Sequence, residues 1–382
     1  MLDQHLKIIE YKLKTNIPHI TLSELRYILL LFFSTRIILT LIGVLSRILL
    51  EPYHGKEYVW IYSDKLWMDI WGVWDTGWYL GIAANGYSAT ANAILGNQAN
   101  YNFFPLYPLF MRLLGYVTRD NYLSGIIISN VALLVSCVFL YKLVELDEDR
   151  DTALRSVKFL FLFPTAYILS GVFTESLFLA LALACFYYAR KGNWFLVGML
   201  GFCLSLTRAV GVLIILPVLY EYLKSKPISR DIFYLLLIPF GIFVWMVFNF
   251  SLTGDFLAFI HIQSTWNRSL ANPLVTIYNA LFSNNIVKLF EAIFTVISFS
   301  ILILFYNKIR TSYWIFGMFC LITPLLTSID SMPRYTLVVF PFFIIFAQLT
   351  KEHSTDDMLA SFLALLQGCL MVFWSNGFAL II

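Results

Sequence analysis

From about Tyr27 onward the chain is a succession of apolar runs, most about 15 to 25 residues long, with charges confined almost entirely to the gaps between them. Runs of this length suit a hydrocarbon layer, where a segment must satisfy its own backbone polar groups and so becomes helical. The pattern predicts an all-α, polytopic membrane protein. Composition agrees: 60% of the 382 residues are hydrophobic and 13% charged, against about a quarter charged in soluble domains. Mean hydropathy is +0.77. A net charge of +3 is too small to argue for nucleic acid as a partner. The five cysteines, at 137, 185, 203, 320 and 369, sit in apolar runs without CxxC spacing and read as small buried hydrophobes.

The first span is expected at 27–50. Others follow at 121–145, 156–173, 175–189, 194–207, 209–223, 232–252, 286–306, 312–327, 335–349 and 357–380, about eleven transmembrane helices in one domain, 1–382. Residues 1–25 read as a cytoplasmic amphipathic segment carrying Lys7, Lys12 and Lys14, without the features of a cleavable signal peptide. Residues 51–120 form the first external loop, with amphipathic interfacial helices. Basic residues in short loops mark the cytoplasmic side. Lys142, Arg150, Arg155, Lys158, Arg190, Lys191, Lys224, Lys226, Arg230, Lys308, Arg310 and Lys351 all fall on the side of the N-terminus when the spans alternate. Arg36, inside the first span, must face protein or water.

The external side carries the chemistry. Trp71-Gly-Val-Trp-Asp-Thr-Gly-Trp-Tyr79 packs three indoles, a phenol and one carboxylate into nine residues. Indoles favour the headgroup layer, and a carboxylate held among them loses hydration, which makes Asp75 a candidate base. An interfacial anchor with a solvated acid is the plainer alternative. Phe173-Thr-Glu-Ser176 puts Glu175 at a polar bend, either lining a cavity or capping a helix in water. Arg208 lies on the side poor in basic residues, where an anion partner competes with simple snorkelling. In Gly254–Arg268, a helix would place His261, Thr265 and Arg268 on one face. A lone histidine of this kind is more often structural, and no metal is indicated. Arg334, after Pro333, sits at the mouth of a span beside Tyr335, poised for a headgroup or a substrate.

One acid, several arginines and stacking aromatics on one side suit sugar transfer from a lipid phosphate. Arg334, Arg208 and Arg268 would hold the donor phosphate. Trp74, Trp78, Tyr79, Glu175, His261, Gln263, Trp266 and Tyr335 would line the substrate, with Asp75 taking the acceptor proton.

Taken in order, Trp74-Asp-Thr-Gly-Trp-Tyr79, Phe104-Pro-Leu-Tyr-Pro108, Phe173-Thr-Glu-Ser-Leu-Phe178, Thr207-Arg208, Gly254-Asp-Phe-Leu-Ala-Phe259, Gln263, Trp266 and Pro333-Arg-Tyr335 resemble a mannosyltransferase family. It is the one that includes the enzyme adding the second mannose to the GPI anchor precursor, a branch of the GT-C glycosyltransferases. The resemblance runs from Arg36 to the C-terminus. It implies a polyprenyl-phosphate-linked donor, usually of mannose, and inverting transfer at the non-cytoplasmic face of a prokaryotic plasma membrane or an ER membrane. It also implies a catalytic acid in the first external loop, matching Asp75, with Glu175, Arg208, Gln263, Trp266 and Arg334 as binding positions. No cofactor beyond the donor is implied, and the acceptor (lipid, glycan or protein) stays open. Phe256 departs from the proline frequent in prokaryotic relatives. A lipid or sugar transporter and a non-catalytic assembly subunit are the rival classes. The first would put charges at mid-membrane on broken helices, commonly with internal repeats, and none is visible.

Overall fold

A computed structural model describes residues 20–50, 60–91, 97–266, 268–378 and 380. Leaving single turns unnumbered, its helices are α1 (Leu22–Leu49), α2 (Thr76–Asn85), α3 (Leu106–Thr118), α4 (Asn121–Val144) and α5 (Arg150–Leu162). Then come α6 (Glu175–Arg190), α7 (Trp194–Ser205), α8 (Ile215–Ser225), α9 (Leu237–Thr253) and α10 (Pro273–Leu281). The last are α11 (Ile286–Leu304), α12 (Thr311–Leu325), α13 (Met332–Thr336), α14 (Pro341–Leu349) and α15 (His353–Ser375).

Several helix starts are written in the sequence. Thr21 and Glu24 close a capping box on α1, with the Thr21 N–H donating to Glu24 Oε2 at 2.6 Å. Asp120 accepts from Tyr122 N and Leu123 N at the start of α4, and Asn193, Asn272 and Asn285 cap α7, α10 and α11 in the same way.

Among the described residues, five helical stretches are long and apolar enough to cross a bilayer alone: α1, α4, Arg230–Thr253 (a 3₁₀ turn continued by α9), α11 and α15. The chain is an all-helical, multi-pass membrane protein. The other expected spans are shorter. The run 156–173 does not form one helix: α5 stops at Leu162, Pro164 follows, and Ala166–Ser170 is a buried 3₁₀ turn. The run 335–349 is split, since α13 and α14 each begin at a proline-marked start. The run 209–223 starts as a 3₁₀ turn and becomes α8 only at Ile215.

The core explains why short helices suffice. α6 is buried on nearly every face, as expected of a helix apolar all round. It packs along α4 and α7, and α7 packs along α9. Gly201 of α7 allows that last approach, because a Cβ there would lie 2.5 Å from Ile238 of α9, and Gly198 admits the 3₁₀ turn before α9, with a Cβ 2.2 Å from the Tyr234 carbonyl oxygen. α1 and α15 pair at the periphery, with Leu30, Phe33, Ile37, Leu41 and Leu45 of α1 turned outward. Cys369, on the outer face of α15, is exposed, against the expectation that all five cysteines are buried. α3 turns Leu109, Leu113, Tyr116 and Val117 to one exposed side, the profile of the interfacial helix expected in the first external loop. The amphipathic segment expected at 1–25 lies mostly outside the described residues.

The charges separate into two ends. At one, Arg190 Nη2 donates to Asp147 Oδ1 at 2.7 Å, Arg310 pairs with Asp147 and Glu221, Arg150 with Glu24 and Glu145, and Lys226 with Asp231. At the other, Glu175 opens α6. Since α6 runs from Glu175 to Arg190, its 16 residues set the ends about 24 Å apart.

Candidate active site

Four remote stretches converge at the Glu175 end, and each is tied down by its backbone. The loop before α2 is laced to the turn before α6: Trp71 O accepts from Val172 N at 3.3 Å, and the Thr76 hydroxyl donates to Val172 O at 3.5 Å. The Thr207–Arg208 turn is held to the start of α3, where Leu106 N donates to Leu206 O at 3.0 Å. Its sharp return needs Gly211, where a Cβ would lie 2.3 Å from Leu204 O. The Thr165 hydroxyl donates to Pro333 O at 3.1 Å and anchors α13.

Arg334 sits at the centre. It is 6% exposed, donates through Nη1 to Asp75 Oδ2 at 2.6 Å, and donates through Nε to Glu175 Oε1. Arg208 Nη1 donates to the same Glu175 oxygen at 2.7 Å. Glu175 is fully buried, and its Oε2 has no hydrogen-bond partner among the described residues. Burial alone would ease the proton off Arg334, yet the carboxylates of Glu175 and Asp75 hold its pKa well above the ordinary guanidinium range. The Arg334 guanidinium also lies 4.5 Å from the Phe173 ring centroid, and Arg208 lies 4.9 Å from that of Tyr335.

Arg268 differs from the other two. Its Nη1 donates to the Tyr335 hydroxyl at 3.3 Å, and among the described residues it has no carboxylate at ion-pair distance. The Tyr335 phenol oxygen beside it holds its pKa up, against the effect of burial. It is therefore the guanidinium with charge to spare.

Asp75 stands at the N-cap of α2, where an aspartate ordinarily accepts from its own helix. Here it makes no such bond; the side chain goes to Arg334 and remains a quarter exposed. The preceding residue, Trp74, has φ of 51°, a left-handed conformation rare for a bulky side chain and typical of strained functional turns.

Above these groups opens a cavity of about 1400 Å³ lined by Asp75, Arg208, Arg268, Arg334, Asp330 and a set of aromatics. Trp78 and Trp266 meet edge to face at 6.1 Å, both against Phe103, and Trp74 packs on Trp60 at 4.7 Å. Tyr79 and Tyr335 also reach it. Burial raises the pKa of the Tyr79 phenol, with the charge of Asp75 adding to it, so it stays protonated at neutral pH. Gln263 Nε2 donates to Asn102 Oδ1 at 2.5 Å on the wall.

Two sequence expectations need correction. Glu175 does not line the cavity; it lies beneath the arginines, and its part is to hold them. His261 lies outside the cavity, 63% exposed, with Nδ1 against Asp255 Oδ2 at 2.6 Å. The helical face proposed for His261, Thr265 and Arg268 does not form, because the helix is one turn, Ala258–His261, followed by a 3₁₀ turn, Ile262–Trp266. Sequence reasoning also missed Trp60, Asn102 and Asp330. Asn102 stands two residues before Phe104-Pro105 in a run free of charge, and a partner for Gln263 could have been sought there. Among the described residues no three His, Cys, Asp or Glu side chains gather as metal ligands.

The fold and site thus define an all-helical membrane protein with a charged, aromatic-lined chamber at one end of the bundle. No family model and no curated protein matches the sequence. Among solved structures, the chain is similar to an oligosaccharyltransferase from Archaeoglobus fulgidus in complex with zinc and sulfate, at 14% identity and a TM-score of 0.47. That match covers 90% of this chain and 53% of the other. A structure of the archaeal oligosaccharyltransferase AglB from the same organism, with an inhibitory peptide and a dolichol-phosphate, gives 13% identity, a TM-score of 0.44 and coverage of 91% and 56%. The chain spans little more than half the length of these proteins.

Proposed function

We propose that the protein is a membrane-embedded glycosyltransferase that takes a sugar from a polyprenyl-phosphate carrier, with Asp75 as general base. The observation that carries this reading is Arg334, which bridges Asp75 and the buried Glu175 on the floor of an aromatic-lined cavity, with Arg208 and Arg268 beside it. An acceptor oxygen attacks the anomeric carbon from the face opposite the phosphate. The bond between that carbon and the phosphate oxygen breaks, its electron pair leaves on the phosphate, and the acceptor proton passes to Asp75. The configuration inverts and polyprenyl phosphate departs. Arg334, Arg208 and Arg268 offset the charge that builds on the leaving phosphate. Trp78 and Trp266 offer faces for the sugar.

A lipid carrier fits the cavity's flank. Leu270, two residues beyond Arg268, lines the cavity and is 87% exposed. Leu274, Val275 and Tyr278 of α10 continue the exposed apolar surface. A phosphate held at Arg268 would then have its tail lying along lipid-facing side chains. Mannose as the sugar, and a site on the non-cytoplasmic face, complete our reading. The first rests on the sequence resemblance and the second on the basic residues gathered at the other end of the bundle.

The test offers purified protein a panel of radiolabelled polyprenyl-phosphate sugars with lipid, glycan and peptide acceptors. One donor should be consumed, and Asp75→Asn should lower turnover about 10²- to 10⁴-fold, the usual contribution of a positioned base, while donor binding stays near wild type. Full activity in that variant, or consumption of no donor by wild type, would overturn the proposal.

A further inference from the structure

Arg334 and Tyr335 are aimed by a turn that is unfavourable by itself. Ser331, which opens α13, has φ of 68° and ψ of 13°, the left-handed region that side chains other than glycine rarely enter. Its own hydroxyl makes no capping bond to the helix. The conformation therefore has to be imposed from outside.

The structure assigns that task to Glu291, and the assignment rests on the glycosyltransferase reading above. Glu291 lies near the start of α11, which packs against α13, and is 1% exposed. Its Oε1 accepts the backbone N–H of Ser331 at 2.6 Å. That N–H is otherwise an unpaired donor at a helix start, and Ser331 itself is buried. Three residues later comes Arg334, whose N–H donates back to Ser331 O at 3.0 Å; Tyr335 N reaches the same oxygen at 3.1 Å. The Ser331 carbonyl and N–H thus fix the first turn of α13 from both sides. The direction of the Arg334 guanidinium toward Asp75 and of the Tyr335 hydroxyl toward Arg268 follows from that turn.

Glu291 does not line the cavity and touches none of Asp75, Arg208 or Arg334 among the described contacts. It is a positioning residue, acting through Ser331. Two consequences separate this role from bulk stability. An amide oxygen can accept the same bond, so Glu291→Gln keeps the function. Glycine enters the left-handed region without steric cost, so Ser331→Gly lets the turn form with less outside help.

The experiment measures binding of undecaprenyl phosphate and rate of sugar transfer for five purified proteins: wild type, E291Q, E291A, S331G and the E291A/S331G pair. E291A should weaken phosphate binding tenfold or more and slow transfer in step. E291Q and S331G should stay within about threefold of wild type, and S331G should restore most of the loss when added to E291A. Melting temperature is read for all five. The proposal is overturned if E291A binds like wild type, if E291Q is as impaired as E291A, or if the pair stays at the E291A level. Failure of wild type itself to bind undecaprenyl phosphate would count against the functional reading instead.

Discussion

Replacing Arg334 by leucine should show that the buried Glu175, far more than Asp75, depends on this guanidinium. Removing one partner from a buried ion pair costs about 3–5 kcal/mol, because the remaining charge stays desolvated. Glu175 has no exposure at all, but Arg208 still donates to the same oxygen at 2.7 Å. The lower end of the range applies, about 3 kcal/mol. Asp75 is a quarter exposed, so water reaches it once Arg334 is gone and its share is about 1 kcal/mol or less. The assay is a pair of double-mutant cycles on purified protein, Arg334→Leu with Glu175→Gln and Arg334→Leu with Asp75→Asn. Equilibrium unfolding in mixed micles titrated with SDS is followed by two spectroscopic probes, whose coincidence establishes a two-state transition. Coupling of about 2–3 kcal/mol is expected in the first cycle and under about 1 kcal/mol in the second. Additivity of the 334–175 pair within about 0.5 kcal/mol would refute the reasoning, as would a larger coupling to Asp75. A leucine at both 334 and 175 should abolish transfer and recover only part of the lost stability, since Arg208 then loses its Glu175 partner.

Arg268→Ala should cost donor-phosphate affinity about tenfold or more, the equivalent of one charge-assisted hydrogen bond, with little change in unfolding, since this guanidinium has no described carboxylate to strand; an unchanged dissociation constant would remove it from the phosphate site. Gly198→Ala should destabilise by about 1–3 kcal/mol through overpacking against the Tyr234 carbonyl, and a variant as stable as wild type in the same unfolding assay would deny the close approach. Asp149→Ala, which deletes the cap of α5, should cost about 1 kcal/mol at neutral pH. The hydrogen bonds from Thr152 hold the Asp149 pKa below its ordinary value, so this contribution is complete above about pH 4 and is lost as pH falls through the lowered value. A wild-type-minus-variant difference that grows on acidification would contradict that sign.

The sequence made the helical, membrane-embedded class plain, because apolar run length and charge placement are local properties. The expected starts at 121, 194 and 286 coincide with the helices that Asp120, Asn193 and Asn285 cap, whereas the first span, expected from 27, starts at Leu22 after its Thr21 cap. The convergence of Asp75, Arg208 and Arg334 followed from their shared side, but the pairing did not. Nothing local to Asp75 says that its side chain leaves its own helix for Arg334, 259 residues away. Glu175 looked like a wall residue because depth within a bundle has no local signature. A 3.6-residue period cannot place His261, because the backbone that follows it takes 3₁₀ geometry. Expected spans such as 156–173 failed where proline cut an apolar run whose hydropathy alone gave no warning.

The order in which the charged floor is completed matters to a chain made from one end. Glu175 emerges with no counter-charge, Arg208 follows 33 residues later, and Arg334 only 159 residues after the acid. At about 5–20 residues per second, the nascent protein carries an under-neutralised acid for roughly 8–30 s. Ribosome-bound intermediates halted before residue 334 should accordingly be the ones most readily claimed by membrane proteases, and release from that surveillance should coincide with synthesis of the last arginine.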